Sequence, residues 1–428
     1  DFDRLPIGSG EIEAEWIPVT HSIPDACAIA LHTRQGVVVH TGDYKLDRTP
    51  VDGRLTGLKR LGALGRAGVA VLLSDSTNIL RTGATPSEAV CREGLRDAFL
   101  KTPGKLVVAT FSSNIHRIQT LLDLAYEEGR KVCLLGRSME RNIAIARELG
   151  RLRLPDDLFI EAREAPLFKP SQVLVLCTGT QGEERSGLSR MLRGEVKGLK
   201  FADGDRLVLS SRAIPGNEVA ISRMLDDAAR LGAETTVEDL GPVHASGHGY
   251  RGDSETMMRT LKPRYMVPVH GTYRNLRVHG RLAETLGWDR EHVLLLDGGE
   301  CLQLRGNGPA RIAGSVPVGK CFVDQGVSHM VDARVIHDRL ILQEDGIVVA
   351  TLVVDPATGE LAQDPTILSR GFVVLSDDQA YGDLLRGAVR KAYEEAPPEI
   401  RKDKDLLIEL LRQPLRRLRR QHHCRSAR

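Results

Sequence analysis

From residue 37 to about 296, the chain repeats one pattern: a short β-branched run, a polar or glycine turn, then a longer stretch with helical apolar spacing. Alternation of this kind predicts layered α/β structure, with strands over 37–39, 69–73, 106–109, 131–135, 173–176, 206–209, 265–267 and 292–296. Polar clusters follow the predicted strand ends: Thr41-Gly-Asp43, Ser74-Asp-Ser-Thr77, Phe111-Ser-Ser-Asn114, Gly136-Arg-Ser138, Thr178-Gly-Thr-Gln-Gly182, Ser210-Ser-Arg212 and His270-Gly271. An open sheet presents ligands on that edge. Residues 86–241 repeat strand and helix with loops rich in Ser, Thr, Asn and Gly, and read as an inserted domain. After Gly298-Gly299 the texture changes. Residues 316–323, 340–342 and 347–354 look like strands, which predicts a separate small β-then-α unit from about residue 334. Residues 405–418 are helical in spacing and lead into Arg416-Arg-Leu-Arg-Arg420, read as an exposed basic tail that adds phosphate affinity without sequence preference.

Composition narrows this picture. At roughly 150 residues per domain, 428 residues make two to three domains. Apolar residues at 41% and charged residues at 27% exclude wholesale disorder. Aromatics at 4% argue against rows of stacked rings on single-stranded nucleic acid. A net charge of +2 excludes a uniformly basic coat and leaves room for a local basic groove. The seven cysteines are odd in number and form no Cys-x-x-Cys pair; Cys27, Cys133, Cys177 and Cys321 lie in or beside apolar runs, as buried reduced thiols would. No apolar run approaches the ~18 residues of a membrane span and no signal peptide is visible, so a cytoplasmic protein is expected. The chain opens Asp-Phe-Asp without Met in mid-domain texture, and reads as an N-terminally truncated fragment.

Three histidine settings carry candidate chemistry: Val-Thr-His21-Ser, His244-Ala245-Ser246-Gly247-His248 and Val-Pro-Val-His270-Gly. Metal-assisted hydrolysis needs neutral imidazoles and carboxylates converging from different loops, and His21, Asp43 and His270 fit by type. Singly, each has a bland alternative: a hydrogen-bonded core histidine, or a turn residue after Gly42. The loop from His244 to His248 offers backbone N–H groups, a hydroxyl and imidazoles to a phosphate, although it can also be a plain turn into a helix. Asp75 either caps the segment after it or orients a histidine. No His-x-His-x-Asp-His stretch occurs.

This string of motifs resembles the ribonuclease J family, nucleases with a metallo-β-lactamase fold carrying a β-CASP insertion. The resemblance runs over nearly the whole chain through Thr20-His-Ser-Ile-Pro-Asp-Ala26, Thr41-Gly-Asp-Tyr-Lys45, Ser74-Asp-Ser-Thr-Asn78, Thr110-Phe-Ser-Ser-Asn-Ile115, Gly136-Arg-Ser-Met139, Thr178-Gly-Thr-Gln-Gly-Glu183, Ile214-Pro-Gly-Asn-Glu218, His244-Ala-Ser-Gly-His248, Val269-His-Gly271 and Ser369-Arg-Gly-Phe372. It implies an incomplete αββα sandwich in residues 1–88 and 251–330, a β-CASP domain over 89–250, and a C-terminal α+β domain with a basic tail over 335–428.

By the same resemblance His21 would ligate one zinc, Asp43 would bridge two, and His270 would complete the second site. Asp75 and His248 would handle the leaving-group proton or stabilise the phosphate, and residues 244–248 would contact it. Ser112, Ser113, Asn114 and the 178–182 turn are further candidate phosphate contacts, and Asp324 a candidate calcium ligand. The family's His-x-His-x-Asp-His motif would lie upstream of Asp1; without it the fragment would be inactive alone. The implied activity is 5′-to-3′ exonucleolytic and endonucleolytic cleavage of RNA, especially 5′-monophosphorylated RNA, in maturation and decay. The implied partners are a second copy or more (dimer or tetramer) and components of an RNA-decay complex. Two alternatives stand beside this: a DNA-processing β-CASP nuclease, disfavoured by the Thr-Gly-Thr-Gln-Gly and Ser-Met motifs, and a non-catalytic RNA-binding scaffold.

Overall fold

The computed structural model describes residues 4–153, 155, 157–237, 239–306, 308–319, 321–323, 330–372 and 378–426. The chain divides into two compact units, residues 1–317 and 318–428. The first unit opens with β1 (Arg4–Ile7), β2 (Ile12–Pro18), β3 (Cys27–Thr33) and β4 (Gly36–His40), paired antiparallel in sequence order. Helix α1 (Leu58–Ala67) then carries the chain across to β5 (Val69–Asp75), which pairs parallel to β4. A parallel neighbour demands such a crossover.

The insertion follows as α2 (Val90–Leu100), β6 (Leu106–Ala109), α3 (Ile115–Glu127), β7 (Lys131–Leu135), α4 (Arg137–Glu148), β8 (Phe159–Ile160), β9 (Val173–Cys177), α5 (Gly187–Leu192), β10 (Arg206–Leu209) and α6 (Glu218–Arg230). Its five strands form a parallel sheet in the order β10-β6-β9-β7-β8. Helices cover both faces, which is why the central strands are apolar at every position. Leu106, Val108, Leu174 and Leu176 pack into one core, and Val107, Ala109, Val175 and Cys177 into the other.

The chain then returns through α7 (Arg251–Leu261), β11 (Tyr265–Val269) and α8 (Tyr273–Thr285), and β11 pairs parallel to β5 at the end of the first sheet. A hairpin of β12 (Glu300–Gln303) and β13 (Arg311–Ser315) closes the unit.

Buried charges pin both passages between the sheets. The fully buried Arg117 guanidinium donates to the Glu88 carboxylate on the outgoing passage, to the Ser210 hydroxyl at the end of β10, and to the Val243 carbonyl (2.7 Å) on the return. Below it, the buried Lys45 ammonium lies 3.1 Å from Asp47 Oδ2 and donates to the Pro86 carbonyl, while Glu88 N–H donates to Asp47 Oδ2 at 2.9 Å.

The second unit contains β14 (Phe322–Val323) paired with β15 (Met330–Val331), then α9 (Ala333–Asp345), the antiparallel pair β16 (Ile347–Thr351) and β17 (Thr366–Arg370), α10 (Gln379–Glu394), α11 (Pro398–Lys402) and α12 (Lys404–Ser426). Val389, Tyr393 and Leu411 centre its small core.

Four expectations need correction. Residues 340–342 belong to helix α9, so from residue 334 onward the order opens on a helix and not on a strand. Among the described residues of 316–323, only Phe322 and Val323 are strand. Residues 292–296 form no strand, and Val293 alone bridges Met266. Cys133 and Cys177 are buried as expected, but Cys27 is half-buried and Cys321 exposed. No helix among the described residues is long and apolar enough to cross a membrane.

Two predictions follow from these buried groups. Replacing Glu88 with Ala strands Arg117 in the interior, so the unfolding free energy from chemical denaturation should fall by about 3–5 kcal/mol. The fully buried His279 has its Nδ1 2.9 Å from Ser76 Oγ, and burial holds its pKa down at about 4. The unfolded chain therefore binds this proton first as pH falls from about 6.5 to 4, and stability drops over that window by about 3 kcal/mol. Denaturation midpoints across this window should flatten in His279→Gln; an unchanged slope would refute the assignment.

Candidate metal centre

Strand direction explains the convergence of the candidate residues. Two antiparallel steps turn β2 to run with β4, and β5 and β11 run with them, so the C-terminal ends of all four lie on one edge of the sheet. Those ends deliver His21, Asp43, Asp75 and His270, respectively. Gly42, at φ 60°, makes the turn that delivers Asp43, and a Cβ there would sit 2.8 Å from the Cys27 carbonyl. His270 itself has φ 54°. Strain of this kind in a non-glycine residue concentrates at functional sites.

Asp43, Asp75, His248 and His270 each offer a ligating atom, and the four atoms lie within 4.8 Å of one another. His248 Nδ1 is 2.7 Å from Asp75 Oδ2, His270 Nδ1 is 3.2 Å from Asp75 Oδ1, and His270 Nδ1 is 3.5 Å from Asp43 Oδ1. His21 stands beside this group, its Nε2 4.0 Å from Asp43 Oδ2 and its ring centroid 5.0 Å from that of His248. Mixed imidazole and carboxylate donors at this spacing suit a divalent metal of the zinc type.

Hydrogen bonds set the state of each imidazole. His21 Nδ1 lies 2.7 Å from the Gly247 carbonyl and must carry a proton to donate to it, which turns the Nε2 lone pair toward Asp43. Gly247 has to be glycine for this approach, because a Cβ would sit 2.6 Å from His21 Cε1. Burial would raise the Asp75 carboxyl, but hydrogen bonds from His248 and Thr77 outweigh it and hold it at about 2. Burial would lower His248, yet the Asp75 carboxylate raises it above the ordinary histidine range. His21 goes the other way, lowered chiefly by burial.

The 244–248 loop divides its work. His244 is held down at about 4 by burial and by the facing cations of Arg117 and Arg212. Ala245 is buried in the inserted domain's core. Ser246 Oγ accepts from Asn78 Nδ2 at 2.7 Å and from the His248 N–H, and the His248 carbonyl accepts from Asn78 at 3.1 Å. Ser112, Ser113 and Asn114 form the entry to α3, where Asn114 Oδ1 caps the helix at Arg117 N–H and Ser112 Oγ accepts from Asn142. No hydrogen bond among the described residues joins these three to the four-ligand group. Asp324 lies outside the described residues.

Thr77 and Thr41 were not singled out by the sequence. Thr77 Oγ1 lies between Asp75 Oδ1 (2.7 Å) and His270 Nδ1 (2.8 Å), and Thr41 Oγ1 accepts the Asp75 N–H at 3.1 Å. Their signal was position alone: each lies within two residues of a candidate ligand.

Comparison with known proteins places the fold in a family. The family described as "Ribonuclease J, beta-CASP domain" matches residues 103–228, "Zn-dependent metallo-hydrolase RNA specificity domain" residues 239–293, and "Ribonuclease J C-terminal domain" residues 334–426. Ribonuclease J of Mycobacterium tuberculosis is 42% identical over 386 residues, covering 90% of this chain and 68% of that protein. The chain belongs to the ribonuclease J family. Ribonuclease J of Helicobacter pylori is 35% identical over 93% of the chain, which spans 58% of that relative's length. Ribonuclease J 1 of Streptococcus pyogenes is 38% identical over 87% of the chain, which spans 65% of it. The expected architecture of a metallo-hydrolase sheet interrupted by a β-CASP domain and followed by a C-terminal domain is thus that of the family.

If the Gly247 carbonyl orients His21, Gly247→Ala should displace the ring and lower metal affinity in the full-length protein by about 10- to 100-fold, measured by competition with a chromogenic chelator. Wild-type affinity in that variant would remove His21 from the site.

Proposed function

We propose that the full-length protein is a zinc-dependent ribonuclease that hydrolyses RNA phosphodiesters, both from a 5′-monophosphorylated end and internally. The observation that carries this reading is the Asp75–His248 pair, 2.7 Å apart and set within the group of candidate ligands. His21, Asp43 and His270 would hold metal. The chemistry zinc would supply when held there is activation of water and neutralisation of charge on the scissile phosphate. The relatives' name and the RNA specificity match favour RNA over DNA as substrate.

The chain's own residues supply the rest. Asp75 accepts a hydrogen bond from His248 Nδ1–H, so that Nε2 is the atom left to face substrate. The carboxylate raises the protonated share of His248, the form that can deliver a proton to the departing 3′ oxygen. Ser246, fixed by Asn78, and the backbone of the 244–248 loop would bind the non-bridging oxygens. Phosphate contacts by residues 112–114 would be made from the N-terminal turn of α3, where helix N–H groups favour an anion.

Degradation of a 5′-monophosphorylated RNA by the full-length protein tests this. His248→Ala should lower kcat by about 10²–10⁴-fold, and Asp43→Ala or chelation should bring cleavage to background, with zinc restoring the chelated wild type alone. Variants as active as the parent would refute these assignments.

A further inference from the structure

We infer that His116 is a positioning residue that ties the inserted domain to the metal centre by holding the backbone of His21. This rests on the reading of His21 as a metal ligand. His116 lies in the first turn of α3 and is only 7% exposed. Its Nδ1 is 3.0 Å from the His21 carbonyl oxygen, so Nδ1 must carry a proton and donate it. Its Nε2 lies 3.4 Å from Asp52 Oδ2 without a hydrogen bond, so the Nδ1 contact is the ring's one hydrogen bond among the described residues.

The base of this contact is rigid. Arg117, the next residue, is anchored to Glu88, Ser210 and Val243, and Asn114 caps the helix. The inserted domain also touches the same loop at Asp25, a non-glycine residue at φ 60°, where Arg151 Nε donates to Oδ2 at 2.7 Å and Arg54 to Oδ1 at 2.6 Å. That second contact is solvent-exposed, and exposed ion pairs contribute little. The more sheltered His116 bond therefore decides where the His21 backbone sits. With Gly247 fixing the ring and His116 fixing the carbonyl, His21 is held from both ends by segments outside its own strand. The helix whose entry carries residues 112–114 thus also sets a metal ligand.

The test compares two amides in the full-length protein. His116→Asn places an N–H donor where Nδ1 stands, and His116→Gln places it where Nε2 stands. Cobalt(II) affinity, followed by visible absorption, should stay near the parent's in the Asn variant and fall about 10- to 100-fold in the Gln variant. On 5′-monophosphorylated RNA, kcat should fall in the same order with KM little changed. Gln equal to or better than Asn in cobalt affinity would overturn the inference, as would parental affinity in both. A parent that binds cobalt but leaves RNA intact would sink the ribonuclease reading, while the cobalt ordering still decides the role of His116.

Discussion

Four buried charges at the junction of the two sheets set the terms for everything else. Lys45, Asp47, Glu88 and Arg117 are all at least nine-tenths buried, two of each sign. Each ion costs several kcal/mol to bring out of water, and only close pairing with full hydrogen bonding offsets that cost. Arg117 meets the condition by gripping both passages between the sheets, and Asp47 by accepting from Lys45 and from the Glu88 backbone. Other orientations of the inserted domain would leave at least one of these charges unpaired. The cluster adds little net stability by itself; its consequence is a single relative placement of the two sheets.

That placement reaches the metal centre within a few residues. Val243, whose carbonyl Arg117 and Ser210 hold, precedes His248 by five positions, so the 244–248 loop leaves from a fixed point. Gly247 in that loop orients His21, and His116, beside Arg117, holds the backbone of His21. The outer sheet contributes the rest by topology alone, since four parallel strand ends bring their residues to one edge. Two domains therefore share one site, with carboxylates supplied by the sheet and orientation supplied largely through the insertion.

Much of this was legible in the sequence wherever burial was uniform. Four strands of the inserted sheet could be read because both faces are covered and their runs are largely apolar, whereas the two-residue β8 was too short to show. The first strands were harder. Strand β2 carries Glu13 and Glu15, and Glu15 is fully buried against Arg60 and His32, a tertiary pairing that periodicity does not show. Leu340, Ile341 and Leu342 imitate a strand in composition, yet they sit half-exposed on a helix with no buried residue. In the site, Asp43, Asp75 and His270 were legible because each follows or ends an apolar run. Thr77 and His116 were not, nor was the hold of Gly247 on His21, because these act through hydrogen bonds to residues close by only in the fold.

The acceptor that each ring chooses divides the labour between two histidines whose centroids are 5.0 Å apart. His21 Nδ1 faces a neutral carbonyl, and burial lowers its pKa, so the ring stays neutral with Nε2 turned to the ligand group. His248 Nδ1 faces a carboxylate held at about 2, and its pKa rises. A ligand must be neutral and a proton carrier must be able to charge, so the two roles could not be exchanged without exchanging their acceptors. On the proposed reading, the separation of metal binding from proton transfer is thus fixed one step away from the metal. It depends on where the Gly247 carbonyl and the Asp75 carboxylate stand, and so on the junction that holds the two sheets together.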